Sequence, residues 1–335
     1  MKKTFLTILI FLISLVVFEL FLRYSPYKKG VSPVLYDENL GMWHKKNFSS
    51  FLVRKCYKNQ YFFDNNGLVK NSYQYDTKKK DIIILGDSYI DALMVQNDKI
   101  IHNALFRELN GTFNILNYGL TGSGPMQQWG ILKYKASLNK IKKVIQVITL
   151  EGDLSDCDPS SFNGSNRPKL FLSFSSLKNY HILKPNIYSN KEKIRDFLGS
   201  FELYAYLNQT YVYYRSLFKN TSVKEIKKDV YFMKNEEYRW KQLEGTLYQI
   251  NKMALEYNFE YIILIYSSDE FHSNYKNRSK RLELFLKKEN IQYLNLVPFL
   301  KNIEKKHTLS FKCDGHWNGE THQDLAKYIN KELFQ

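Results

Sequence analysis

The sequence predicts an α/β protein, a three-layer α/β/α sandwich on a mostly parallel five-stranded sheet, preceded by an N-terminal transmembrane helix. From residue 81 onward, short unbroken apolar runs alternate with longer helix-period segments, the pattern of strands buried on both faces with crossover helices between them. Residues 4–22 are apolar apart from Glu19, and about 20 such residues are what a helix needs to cross a bilayer. With 335 residues and 44% hydrophobic content, the chain is long and greasy enough to bury a large core. It carries no Pro-, Ser- or Gln-rich tract that would signal disorder.

In chain order, Lys2 and Lys3 precede the span "TFLTILIFLISLVVFELFL". The run passes into "RYSPYKK" without the small residues of a cleavage site, so residues 1–23 are expected to remain as an uncleaved anchor. Arg23, Lys28 and Lys29 balance Lys2 and Lys3, and loop charge alone therefore leaves the orientation open. Glu19 stands near one end of the span, where its carboxylate is expected to reach the interface. Residues 24–80, polar and aromatic with few periodic runs, read as a stalk and domain lead-in, and the domain itself as 81–335. Strands are expected at 82–85, 113–117, 144–148, 261–266 and 291–296, and helices near 89–108, 126–139, 240–257, 276–289 and 319–333. The gap between the third and fourth strands far exceeds an ordinary crossover, which implies an insertion at about 158–238, packed over one end of the sheet. Within it, "IRDFLGSFELYAYLNQTYVYYRSLF" (194–218) reads as one aromatic helix. Its Tyr204, Tyr206, Tyr211, Tyr213 and Tyr214 either pack within the insertion or stack on sugar rings.

The net charge is +16, which favours anionic partners. The lysines are scattered, with "TKKKD" at 77–81 the longest run. That pattern argues against nucleic acid and for a solvated lysine-rich face or an acidic glycan. There are three cysteines, Cys56, Cys157 and Cys313, an odd number that permits one bridge in an oxidising compartment. Their spacing does not suggest zinc, and no cofactor is expected.

Three segments that should end at the carboxyl edge of a parallel sheet, where active sites of this architecture belong, carry chemistry. In "DIIILGDSYIDAL" (81–93), Ser88 follows a strand and a glycine and opens a helix; it is either a nucleophile or an N-cap. In "LNYGLTGSGP" (116–125), Gly119, Gly122 and Gly124 let backbone N–H groups approach a ligand, as an oxyanion hole requires, although their spacing is not that of a dinucleotide site. In "CDGHWNGETHQDLAKYI" (313–329), Asp314 and His316 have the spacing of an orienting carboxylate and a general base. His322, further along, is expected at the surface or in a capping role. Cys157 and Cys313 should both lie near this rim, so a bridge between them is expected.

In this order the blocks resemble the SGNH, or GDSL, hydrolases: "GDS" at 86–88, "NYGLTG" in the glycine block, and "DGHWN" at the end. The resemblance covers roughly residues 81–333, and the anchor with "LGMWHKKNF" (40–48) looks like membrane-anchored bacterial members of surface-polysaccharide pathways. It implies that Ser88 attacks an ester carbonyl, that His316 moves the proton, that Asp314 orients His316, and that the N–H groups of Ser88 and Gly122 bind the oxyanion. The family's third block, Gly-x-Asn-Asp, is replaced by "TLEGDLSD" (149–156). Asp153 or Gly152 falls at the asparagine position, and neither supplies a neutral amide; Asn117 and Gln127 are candidates to compensate. The expected function is a membrane-tethered, extracytoplasmic serine esterase that removes O-acyl groups, most plausibly O-acetyl, from a glycan. An O-acetyltransferase, a glycan-binding protein that has lost catalysis, and a lipase or thioesterase are the alternatives.

Overall fold

The computed structural model describes residues 2–25, 30–159, 169–185, 189–218, 236–273 and 277–335. Helix α1 (Lys2–Tyr24) is followed by the short pair β1 (Val34–Leu35) and β2 (Trp43–His44), and by the hairpin β3 (Ser49–Arg54) and β4 (Tyr57–Phe62). Next come β5 (Asp81–Leu85), α2 (Ser88–Asp91), α3 (Ile101–Glu108), β6 (Asn114–Asn117), α4 (Pro125–Lys135), β7 (Ile141–Thr149) and α5 (Leu150–Asp156). A hairpin of β8 (Phe171–Phe174) and β9 (Tyr180–Leu183) precedes α6 (Asn190–Leu198), α7 (Glu202–Phe218) and α8 (Glu236–Tyr257). The chain closes with β10 (Glu260–Tyr266), α9 (Ser268–Ser273), α10 (Asn277–Lys288), β11 (Gln292–Asn295), α11 (Val297–Glu304) and α12 (Gly319–Phe334).

The central sheet is five-stranded in the order β11-β10-β7-β5-β6, and every pairing within it is parallel. Its strands alternate between two cores because successive side chains leave opposite faces. Ile83, Leu85, Val144, Ile148, Ile263 and Ile265 pack with α4, α8 and α10, whereas Ile82, Ile84, Ile145, Val147, Ile262 and Leu264 pack with α3, α11 and α12. Ile82 to Leu85 are at most 1% exposed, and each contributes about 1.5–3 kcal/mol of burial. In strand order this is the 2-1-3-4-5 doubly wound arrangement, whose topological switch point lies between the first and third strands. Those strands are β5 and β7, so the loop carrying Ser88 and the start of α5 flank the crevice.

The expected helix over 89–108 is broken into α2 and α3. Ala92 adopts φ 48°, which stops α2 after one turn. The freed carbonyls of Leu93 and Val95 accept the Asn59 side-chain amide at 2.8 and 2.7 Å, so the break is satisfied by the β3–β4 hairpin. Residues 30–80 therefore belong to the packed domain. Leu40, Met42, Trp43, Tyr61 and Phe63 are buried, and Val69 bridges Asn117 on β6, covering an edge that would otherwise present unpaired backbone.

The insertion divides in two. The β8–β9 hairpin packs against α4 and α8, with Phe174 and Leu172 in the core. The 194–218 segment is two helices, α6 and α7, interrupted at Gly199–Ser200–Phe201. Tyr204 and Tyr206 are half-buried and Tyr211 is exposed; the side chains of Tyr213 and Tyr214 lie outside the described residues. Glu19 turns toward the start of α7, where it accepts the N–H groups of Glu202 and Leu203 at 3.1 and 2.9 Å.

Candidate active site

Strand β5 delivers Ser88 as the first residue of α2. Asp87 caps the helix, its Oδ1 accepting the Tyr89 N–H at 2.9 Å and its Oδ2 accepting the Thr149 hydroxyl at 2.7 Å. The turn after β5 is thereby tied to the end of β7. As the first helical residue, Ser88 has an N–H without an intrahelical acceptor.

His316 reaches this serine from the loop before α12. Its Nε2 is 2.7 Å from Ser88 Oγ, while Nδ1 faces Asp314 Oδ1 in a short contact. That network puts the proton on Nδ1 and leaves Nε2 to accept the Ser88 hydroxyl. Burial pushes the Asp314 carboxyl up, but hydrogen bonds from His316 and Tyr57 outweigh it and hold the group below its ordinary value. The loop is stiff because Phe311 N–H donates to His316 O, Ser310 Oγ donates to Gly315 O at 3.0 Å, and Asn318 caps α12 by accepting the Thr321 N–H at 3.0 Å. Helix α12 packs along α3, which carries the loop back over β5 from the far edge of the sheet. Ser88, His316 and Asp314, named from separate motifs, are thus brought together.

The glycine loop after β6 is clamped onto α2. Leu120 N–H donates to Gly86 O at 3.1 Å, and Asp91 Oδ2 accepts both the N–H and the hydroxyl of Thr121, at 2.9 and 2.6 Å. His44 Nε2 lies 3.4 Å from the same oxygen, and both side chains are buried. A Cβ on Gly119 would come within 2.2 Å of Asp91 N, so only glycine permits this approach. Gly122 has φ +76° and is exposed; its N–H has no hydrogen-bond acceptor among the described residues.

The side chains considered as extra oxyanion donors are committed elsewhere. Asn117 donates to Ile90 O at 2.7 Å and accepts the Gly119 N–H at 2.8 Å. Gln127 binds Leu170 O and the Gly124 N–H. Asp153 is 1% exposed, and its Oδ2 accepts the Thr149 N–H at 2.7 Å. Burial, with Asp87 and Asp156 nearby, pushes its carboxyl well up, toward the neutral acid. It braces Thr149, and through Thr149 the Asp87 cap, from beneath the surface. Gly152 is exposed in the first turn of α5, where its N–H has no intrahelical acceptor.

The disulfide joins Cys56 to Cys313, with Cα atoms 5.8 Å apart, and not Cys157 to Cys313. Cys157 ends α5 facing the core and is free and buried, whereas Cys313 faces the tip of the β3–β4 hairpin. Next to this bridge, the Tyr57 hydroxyl donates to Asp314 Oδ2 at 2.8 Å, and its ring packs on Phe311 at 4.9 Å. Tyr89 walls the other side of the imidazole, 5.0 Å from His316 and 4.8 Å from buried Trp317. Sequence reasoning missed Tyr57 and Tyr89; Tyr57 follows Cys56, whose disulfide partner Cys313 precedes Asp314, so only knowledge of the cysteine pairing would have pointed to it. His322 is 1% exposed, contrary to the expected surface position, because it lies on the inward face of α12, and burial pushes its imidazole down to about 3. Beside the hairpin, a groove of about 470 Å³ is lined by Tyr57, Phe311, Lys58, Lys99, Gln96 and Asn318.

No protein-family model matches the chain, and no curated protein matches it. Among solved structures it is similar to a member of the lipolytic protein G-D-S-L family from Veillonella parvula, at 11% identity and TM-score 0.42, over 76% of this chain and 97% of that one. It is also similar to a psychrotrophic esterase from Pseudoalteromonas sp., at 13% identity and TM-score 0.41, over 76% and 100% of the two chains. A third is an acetylxylan esterase from Geobacillus stearothermophilus, at 11% identity and TM-score 0.43, over 76% and 94%. The functional reading below rests on the sheet topology and the side-chain geometry of this chain alone.

Proposed function

We propose that the protein is a membrane-tethered serine esterase that hydrolyses O-acyl groups, O-acetyl in the first instance, on an exported or cell-surface glycan. The observation that carries this is the 2.7 Å contact between Ser88 Oγ and His316 Nε2 with Asp314 on the opposite ring nitrogen. Ser88 Oγ attacks the ester carbonyl carbon as His316 Nε2 takes the hydroxyl proton, and the carbonyl electrons move onto oxygen. The N–H groups of Ser88 and Gly122 are the donors proposed for that oxyanion, with the exposed Gly152 N–H as a third. Collapse expels the alcohol, which receives the proton from His316 and leaves an acyl-Ser88. Water then repeats the sequence and releases the acid.

The Cys56–Cys313 bridge supports an oxidising, extracytoplasmic location for the domain. The groove beside Tyr57, with aromatic rings and the cations Lys58 and Lys99 outnumbering its one carboxylate, Glu320, suits a sugar chain bearing carboxylates. A transferase would use the same acyl-enzyme with a sugar hydroxyl in place of water. A non-catalytic glycan binder is the competing reading, favoured by the absence of a side-chain amide from the third block.

Detergent-solubilised full-length protein is expected to release acetate from an activated acetyl ester, and Ser88→Ala to abolish this. Asp314→Asn is expected to cost on the order of a thousand- to ten-thousand-fold in kcat, because the amide favours the wrong imidazole tautomer. Equal inertness of wild type and Ser88→Ala would leave the binding reading standing instead.

A further inference from the structure

The apolar span and the insertion meet at one place. Glu19 of α1 is 9% exposed and Leu22 is 2% exposed, and no other described residue of α1 is buried. The Glu19 carboxylate accepts the first N–H groups of α7, where the partial positive charge of a helix start favours an anion. Arg23 pairs with Glu19 at 2.7 Å and donates to Ser200 O at 3.0 Å. The start of α7 is therefore fixed about 4.5 Å along the helix axis from the end of the apolar run. A lone carboxylate at that depth would be costly; paired with Arg23 and two backbone donors, it serves as a lock.

The helices fixed at this depth expose apolar side chains at helical spacing, beside the exposed Lys193 and Asn208. On α6, Ile194 (59% exposed), Phe197 (65%) and Leu198 (37%) fall at i, i+3 and i+4, one face of a helix. On α7, Leu207 (58%) and Tyr211 (61%) fall at i and i+4. Apart from Leu198, these residues are as open as Phe11 within the span itself, at 60%. A scatter of single exposed hydrophobics is ordinary for a soluble surface, whereas exposed apolar residues at helical spacing on two consecutive helices call for a cover.

We propose that α6 and α7 lie in the headgroup layer of the bilayer that α1 spans, with these stripes facing the acyl chains. The inference rests on the anchor reading of α1 and adds a second, interfacial contact to it. Tyrosine on α7 suits this depth, since amphipathic aromatic rings favour the membrane boundary. The contact also orients the domain. Ser32 N–H donates to Gly199 O and Gly30 N–H to Glu202 Oε2, at 2.9 and 3.0 Å, while Val31 N–H donates to Ser50 Oγ at 3.0 Å. The interfacial helices are thereby joined to the hairpin whose tip carries Cys56 and Tyr57.

The test uses the full-length chain in nanodiscs of phosphatidylcholine and phosphatidylglycerol. Nitroxide labels are attached in separate variants Val16→Cys, Phe197→Cys, Leu207→Cys and Leu284→Cys; Leu284 is exposed on α10, which packs on the central sheet. Cys56 and Cys313 are bridged and Cys157 is buried, so the native thiols stay unlabelled. Collision with oxygen, which enters lipid, is compared with collision with a water-soluble nickel complex. Labels at 197 and 207 should lose nickel accessibility relative to 284 and approach the oxygen-rich behaviour of 16. Labels at 197 and 207 as open to nickel as 284, with 16 in lipid, would overturn the platform and spare the anchor. A label at 16 open to nickel would remove the anchor and the platform together. Dipolar broadening between copies at 197 would assign the stripe to a second molecule and overturn the lipid contact.

Discussion

Tyr57 holds the Asp314 carboxylate by a charge-assisted hydrogen bond, and among the described residues it makes no hydrogen bond to Ser88 or His316. Burial and the bond to Asp314 raise its phenol well above the ordinary range, so it stays protonated and keeps donating. Tyr57→Phe removes that donor and keeps the ring on Phe311. The loss of one such bond is about 1.5 kcal/mol, or roughly ten-fold, and it is expected in kcat with KM little changed, because the ring that lines the groove is retained and only the hydroxyl that orients Asp314 is lost. A second readout follows from linkage. Asp314 is held below its ordinary value of 3.8, so it contributes stability that is complete above that value and lost as pH falls through the lower folded value. Tyr57→Phe should shrink that acid-side loss, measurable as a flatter melting temperature against pH below the ordinary value. Asp153 makes the opposite case. Buried and bonded to Thr149, it should tolerate Asp153→Asn with less than about a three-fold change in kcat, well short of the hundred-fold scale of an oxyanion donor; a ten-fold or larger increase would place the side chain at the oxyanion. Ser88, Asp314 and His316 were legible in the sequence because each sits in a compact block at a strand or helix boundary. Tyr57 was not, because a hydroxyl that meets its partner across 257 residues leaves no local trace.

Among the elements, the β3–β4 hairpin was the least legible and has the largest effect on the site. Its strands lack apolar alternation, and most of their positions are half-buried or exposed, with one buried side chain in each, so nothing in the sequence distinguishes it from a stalk. Its order comes from tertiary partners: Asn59 on the broken helix, Tyr57 on Asp314, and the bridge to Cys313. The five sheet strands were legible to within a few residues because burial on both faces demands unbroken apolar runs. The split of the 89–108 segment was not, since Ala92 has no sequence signature for a left-handed turn. The bridge closes a loop with a sequence separation of 257 residues, for which the chain-entropy account gives about 5 kcal/mol of stabilisation. Cys56→Ser should therefore lower the melting temperature and, by loosening Tyr57 and Asp314 together, lower kcat further than Tyr57→Phe does. Reductant should reproduce this in the wild type and reoxidation should reverse it. On α5, burial pushes Asp156 from 3.8 up to about 6 against the pull of Lys169, with Asp87 adding to the rise. The folded state thus binds this proton more tightly than the unfolded chain, and stability declines as pH rises from about 4 to about 6. Asp156→Asn should be more stable than wild type above that window and equal to it below, read by thermal melts across the range.

At the scale of the whole molecule, the chain carries a net charge of +16, and the groove beside Tyr57 includes Lys58 and Lys99 against the single carboxylate of Glu320. Scattered surface lysines raise the local concentration of a polyanion over a Debye length of about 8–10 Å at physiological salt, and do so through association rather than chemistry. A polymeric substrate carrying carboxylates should therefore show kcat/KM that falls steeply as sodium chloride is raised from low ionic strength, with kcat at saturation unchanged. A small neutral acetyl ester, which feels no such field, should show no salt dependence in either constant. Lys99→Glu discriminates between the groove and the general surface. If the acidic chain lies in the groove, the variant loses affinity for the polymer out of proportion to its two-charge change and keeps full turnover of the small ester. A loss no larger than that of a lysine-to-glutamate change on α10, such as Lys287→Glu, would assign the attraction to the molecule's overall field and leave the groove without a part in recognition.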